Sequence, residues 1–129
     1  MTAALLDTDV LLEYREGRDE DVVAFVVATR AAGAAHVSQA SALALLGWCR
    51  DEGAQAGVDA FLATVTVHPV SAAVSRKAFS LLRSLPPRPP LSPVDALVAA
   101  TAVIQKLPLY ALDPGRYAAV PGLTALPAR

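Results

Sequence analysis

Residues 91–105, LSPVDALVAATAVIQ, decide the fold. Ser92 is a good helix N-cap, Pro93 stands where a missing N–H costs nothing, and Asp95 falls three residues after the cap. Val94, Leu97, Val98, Thr101 and Ile104 then recur at helical spacing, and alanines fill most of the rest. A helix that is apolar or small nearly all round belongs inside a core. Its one acid, Asp95, has two readings. It closes a capping box with Ser92, worth ~1 kcal/mol, or it is a working carboxylate at the mouth of a buried helix.

Working outward, short apolar runs alternate with helical stretches. TAALL (2–6) reads as a buried strand ending at Asp7, and Asp7, Thr8 or Asp9 caps a helix to about Arg15, stopped by Gly17. Asp19 to Ala32 reads as a helix with acids in its first turn and Gly33 beyond it, and Ala34 to Val37 as a strand. Ser38 caps a helix through SQASALALLGWCRDE, with Gly53 past its end, and Gln55 to Ala63 forms another. Val65 and Val67 alternate with polar residues, as in a short half-exposed strand or extended link, and Ser71 opens the next helix. The prolines of PPRPPLSP (86–93) make a stiff connector. Strand LPLYALD (107–113) follows the central helix, and Leu123 to Leu126 forms a last edge strand. Strands alternating with helices imply an α/β fold with a largely parallel sheet between helical layers.

The totals agree with one packed domain over 1–129. At 129 residues, 54% apolar and 18% charged, the chain has enough apolar surface for its own core and is too short for two ordinary ones. A net charge of −1 argues against a protein that coats nucleic acid by bulk electrostatics. A local basic rim would need the fold to gather Arg15, Arg18, Arg76, Lys77, Arg83, Arg88, Lys106 and Arg116. No apolar run is long enough to span a membrane, and Asp7 interrupts an N-terminus that lacks the basic start of a signal peptide. Cys49 is the sole cysteine, so no internal disulfide forms and a cytoplasmic setting is expected.

In parallel α/β sheets, ligands bind beyond the carboxyl ends of the strands. Asp7 follows the first strand, Asp113 follows the 109–112 strand, and Asp95 begins the buried helix. Each alone has a plain role: Asp7 as a cap, Asp95 in its box, Asp113 opening the turn Asp113-Pro114-Gly115. Together they are acids that such a sheet would bring to one edge. Clustered carboxylates repel unless a cation holds them, and hard oxygen ligands suit Mg²⁺ or Mn²⁺. There is no HExxH, CxxC, GxGxxG or Walker sequence, and His36 and His68 stand isolated.

Four blocks carry a resemblance: LLDTDVLLEY, HVSQASALALLG, LSPVDALVAATAV and LYALDPGRYAAVPGL. In that order and spacing they are similar to the PIN-domain family, and within it to the VapC-like ribonuclease toxins of VapBC toxin–antitoxin pairs. The resemblance spans nearly the whole chain. It implies a three-layer α/β/α PIN-like fold with acids at one edge of the sheet. Those acids would bind Mg²⁺ or Mn²⁺ for hydrolysis of RNA phosphodiester bonds. By it, Asp7 matches the first acid, Asp95 the third and Asp113 the fourth, as metal and catalytic residues. Homodimerisation is implied too, as is neutralisation by a small VapB-like antitoxin whose C-terminal segment occupies the active-site groove.

Two positions depart from the family pattern. The second block usually reads S-x-x-T-x-x-E-L with its Glu as second acid, and here that place is Ala44. Asp51 and Glu52 lie about two turns further along, roughly 10 Å on the helix axis. Ala111 stands where a hydroxyl residue is usual. Loss of one charge and one ligand weakens cation binding and the activation of water, so cleavage should be weakened or absent. Two alternatives stand beside the nuclease: a non-catalytic PIN-like binding or regulatory protein, and a haloacid-dehalogenase-like phosphohydrolase, whose D-x-D start LLDTDVL also fits.

Overall fold

Leu5 and Leu6 part the molecule into its two faces. They are neighbours on strand β1 (Ala4–Leu6), and Leu5 packs into one apolar cluster while Leu6 packs into another, because successive side chains of a strand point to opposite faces. The computed structural model describes residues 1–87 and 90–129. The middle of the proline connector, with Arg88 of the proposed basic rim, lies outside the described residues.

From β1 the chain runs through α1 (Thr8–Glu16), α2 (Glu20–Ala31), β2 (Ala35–Ser38), α3 (Gln39–Gly47) and α4 (Glu52–Leu62). Then come β3 (Thr66–His68), α5 (Ala72–Ser84), α6 (Pro93–Gln105), β4 (Leu109–Ala111), a 3-10 turn at Pro114–Tyr117, and β5 (Ala125–Pro127). The five strands form one sheet in the order β3-β2-β1-β4-β5. All pairings are parallel, as the alternation of strand and helix requires. The α/β expectation holds.

Leu5, Leu109 and Ala111 share a core with Val74 and Leu81 of α5 and with Ala96, Val98 and Ala99 of α6. Leu6, Ala35 and Val37 share the other with Val10 of α1, Val22 and Val26 of α2, Leu45 of α3 and Val58 of α4. The helix read from 91–105 is α6. Its Ala96, Val98, Ala99, Ala100 and Ala102 are almost fully buried, as a helix apolar all round must be. The sheet's order reverses at β1, which has β2 on one side and β4 on the other. That reversal opens a crevice at the strands' carboxyl ends.

One sequence reading is corrected. The helix expected from Ser38 through Glu52 ends at Gly47. Asp51 adopts an extended backbone and its Oδ1 accepts the Ala54 N–H at 2.8 Å, so it caps α4, which takes Glu52 into its first turn. A side chain that satisfies an orphan helix donor starts a helix more readily than it continues one. Asp51 and Glu52 therefore do not lie on α3. β5 begins at Ala125, two residues later than the expected edge strand.

Candidate active site

The end of β1 delivers Asp7 into the crevice. Asp7 is the N-cap of α1, its Oδ1 accepting the Thr8 N–H at 2.8 Å, and its side chain is fully buried. Its own N–H donates to the Tyr110 carbonyl at 2.9 Å, which ties the end of β1 to β4. Beyond β4 the 3-10 turn folds the chain back over that junction, carrying Arg116 and Tyr117. The Tyr117 hydroxyl lies 2.9 Å from each Asp7 carboxylate oxygen and 3.4 Å from Asp95 Oδ1. A single nitrogen, Arg116 Nη2, lies 2.8 Å from Asp7 Oδ2, 3.4 Å from Asp9 Oδ2 and 3.8 Å from Asp95 Oδ1.

Asp95 closes its capping box and still presents one oxygen to the crevice. Its Oδ2 accepts the Ser92 N–H at 2.9 Å and its N–H donates to Ser92 Oγ at 3.1 Å, completing the capping box. Its Oδ1 is left to face Tyr117 and Arg116. The structure thus brings Asp7 and Asp95 together and adds Asp9. Asp113 stands apart: it is exposed, its side chain caps nothing, and its carbonyl accepts the Arg116 N–H at 3.2 Å.

Burial and the neighbouring charge of Asp9 push the Asp7 carboxyl up to about 7, against the opposing pull of Tyr117, Arg116 and the Thr8 N–H. Burial likewise raises Asp9, with Arg116 opposing. Tyr117 is held far above the ordinary phenol range by burial and by Asp7 and Asp95, so it stays a neutral donor. Burial works against the Arg116 charge, but Tyr117 and the three aspartates outweigh it and lock the guanidinium in its charged form.

Ala44 lines the same crevice. A cavity of about 250 Å³ is bounded by Asp9, Ala44, Trp48, Asp95 and Arg116, among others. One turn before Ala44, Ser41 Oγ meets Thr8 Oγ1 at 2.8 Å, so α3 turns the face bearing residues 41 and 44 toward the acids. Under them, Thr101 of α6 donates to the Leu97 carbonyl at 2.8 Å and lies 3.4 Å from Ser38 Oγ. Ala111, the other departure, is fully buried in the α5–α6 core.

The sequence places Arg116 only in a candidate basic rim and gives Tyr117 no role of its own. The signal was their position just past the acid that ends β4, where one tight turn returns them to β1. Among the described residues, no three His, Cys, Asp or Glu side chains are gathered closely enough to hold a metal ion as they stand. The donor set still fits a hard cation, because carboxylates of Asp7, Asp9 and Asp95 all approach one positively charged atom. Arg116 is the stand-in.

No family model matches the chain, and no curated protein matches it. Solved structures do. DNA-bound VapBC from Salmonella typhimurium superposes with a TM-score of 0.82 at 16% identity, covering 100% of both chains. A toxin–antitoxin complex from Klebsiella pneumoniae gives 0.78 at 19% identity over 98% of each. Mycobacterium tuberculosis VapC20, a sarcin-ricin loop cleaving toxin, gives 0.68 at 21% identity over 92% of this chain and 95% of that one. At such identities the likeness is one of fold. The chain has the VapC-like PIN fold.

Proposed function

We propose that this chain is a VapC-like, divalent-metal-dependent endoribonuclease toxin that hydrolyses RNA phosphodiester bonds, with cleavage weakened or abolished by the lack of an acid at position 44. One observation carries the reading: Asp7, Asp9 and Asp95 converge on a single point at the carboxyl edge of a parallel sheet, in the crevice where its order reverses. A fold shared with VapC20, a sarcin-ricin loop cleaving toxin, supports it.

In this reading Asp7 and Asp95, with Asp9 beside them, would hold Mg²⁺ or Mn²⁺, and Asp113 serves from the exposed rim. Such an ion, when bound, polarises a phosphoryl oxygen and makes water a better nucleophile at neutral pH. The chain's own part is to set the carboxylates. Tyr117 aims Asp7 by hydrogen bond, and the Ser92 N–H fixes one oxygen of Asp95 so that the other faces the crevice. From α3 comes only a methyl group, where a carboxylate would orient or deprotonate the attacking water. That is the proposed weakness.

A small VapB-like antitoxin, homodimerisation and a cytoplasmic site of action belong to the same proposal. VapBC and other toxin–antitoxin complexes share the fold. Beside the acid site, Leu12 and Trp48 form a wall common to the small cavity and to a second of about 790 Å³, and Trp48 is 54% exposed. An exposed tryptophan along a groove suits a protein partner. Among the described residues no helix is long and apolar enough to cross a membrane. The non-catalytic reading draws support from Ala44, which offers no carboxylate, and from Arg116, which sits among the acids.

Incubation with structured RNA in Mg²⁺, in Mn²⁺ and with chelator tests the proposal. The expected result is slow cleavage that the chelator and Asp95→Asn both abolish. Failure of both the parent and Ala44→Glu to cut at protein excess in either metal, with an antitoxin-like peptide still bound, makes the non-catalytic reading the correct one.

A further inference from the structure

We propose that Arg116 is a built-in counter-cation of the acid site, which competes with the divalent ion for Asp7, Asp9 and Asp95 and must withdraw before metal binds. The inference rests on the metal-dependent reading above and adds its regulation.

The geometry carries it. A single guanidinium nitrogen is within 4 Å of three carboxylates that come from the end of β1, the start of α1 and the start of α6. Two cations in so small a space repel, so arginine and metal exclude one another. The arginine's fit is also incomplete. Asp9 Oδ1 and Arg116 Nε are both buried without a well-formed hydrogen bond, although the Leu112 and Val10 N–H groups stand near the Asp9 carboxylate, so neither group is fully engaged by the other. A smaller ion with several coordination positions could engage Asp9 Oδ1, as a planar fork held at one edge does not.

Room for withdrawal exists. Arg116 and Ala44 both line the cavity of about 250 Å³, and the arginine side chain is already 26% exposed. The small side chain at 44 contributes to that space. Arginine supplies one fixed positive charge where an ion would supply two. The site is thus held together without metal, and metal uptake must displace a contact of 2.8 Å.

Mn²⁺ binding to the full chain, followed by electron paramagnetic resonance, tests this alongside thermal unfolding with and without Mn²⁺. Arg116→Gln should bind Mn²⁺ at least tenfold more tightly than the parent, and Mn²⁺ should raise its Tm well beyond any rise in the parent. Arg116→Lys, which keeps the charge, should bind as weakly as the parent. If Arg116→Gln folds only when Mn²⁺ is present, that rescue is itself the expected result. Equal or weaker Mn²⁺ binding by Arg116→Gln, or no rescue of its folding, overturns the proposal. RNA cleavage is scored separately: tighter Mn²⁺ binding by Arg116→Gln, with no cleavage by it or by Arg116→Gln combined with Ala44→Glu, leaves this inference standing and removes the nuclease reading.

Discussion

Tyr117 and Asp7, 110 residues apart in the chain, meet with the phenol oxygen 2.9 Å from both carboxylate oxygens. Both side chains are fully or almost fully buried. That contact joins the 3-10 turn after β4 to the end of β1, so the site and the sheet's central junction are one structure.

Tyr117→Phe should therefore destabilise the fold without opening a cavity. A hydrogen bond to a charged group contributes roughly 1.5–3 kcal/mol, and its loss leaves Asp7 less satisfied. The same change should raise the Asp7 pKa, because the tyrosine hydrogen bond lowers it. Urea unfolding and a carboxyl titration by NMR check the two effects. A loss of under about 0.5 kcal/mol would mean that Asp7 does not depend on this donor.

The raised Asp7 carboxyl sets a pH dependence of unusual sign. Its folded value of about 7 lies above the ordinary 3.8, so folding takes up a proton between those limits. Its contribution to stability is fully present below about pH 4 and is lost as pH rises through about 7. Asp9, raised in the same direction, reinforces the trend. Urea midpoints of the parent and of Asp7→Asn across this window should diverge, the parent losing stability with rising pH and the variant losing much less. Parallel curves would contradict the shift.

Lys106 ends α6 in the left-handed region at φ 56°, the one non-glycine residue with positive φ among the described residues. A side chain there is strained where glycine is not. Lys106→Gly should raise stability by roughly 0.5–1 kcal/mol, read as a higher urea midpoint with unchanged slope. A decrease would show that the lysine side chain makes a stabilising contact beyond its backbone role.

The order of elements was legible because capping residues and apolar runs are local. Ser92, Pro93 and Asp95 announce α6 from sequence alone, and Gly17 and Gly33 mark their turns by positive φ. What failed was the boundary near Asp51, where a cap competed with helix continuation and only packing decides. That Asp7 and Asp95 approach one another was legible because strand ends and helix starts of a parallel sheet must meet. The return of Arg116 and Tyr117 was not. It depends on one turn of backbone after Asp113, and the sequence Asp-Pro-Gly-Arg-Tyr reads as an ordinary loop until the fold brings it over β1.

Ala44 bears the central claim, and RNA cleavage by the parent and by Ala44→Glu, side by side in Mg²⁺ and Mn²⁺, tests it most directly. Ala44→Glu combined with Asp95→Asn is the inactive control. A carboxylate placed at position 44, which lines the same cavity as Asp9 and Asp95, should raise cleavage by about a hundredfold or more, with the control silent. Equal rates for parent and Ala44→Glu would mean that position 44 is not the missing acid, and the account of a weakened nuclease would fall.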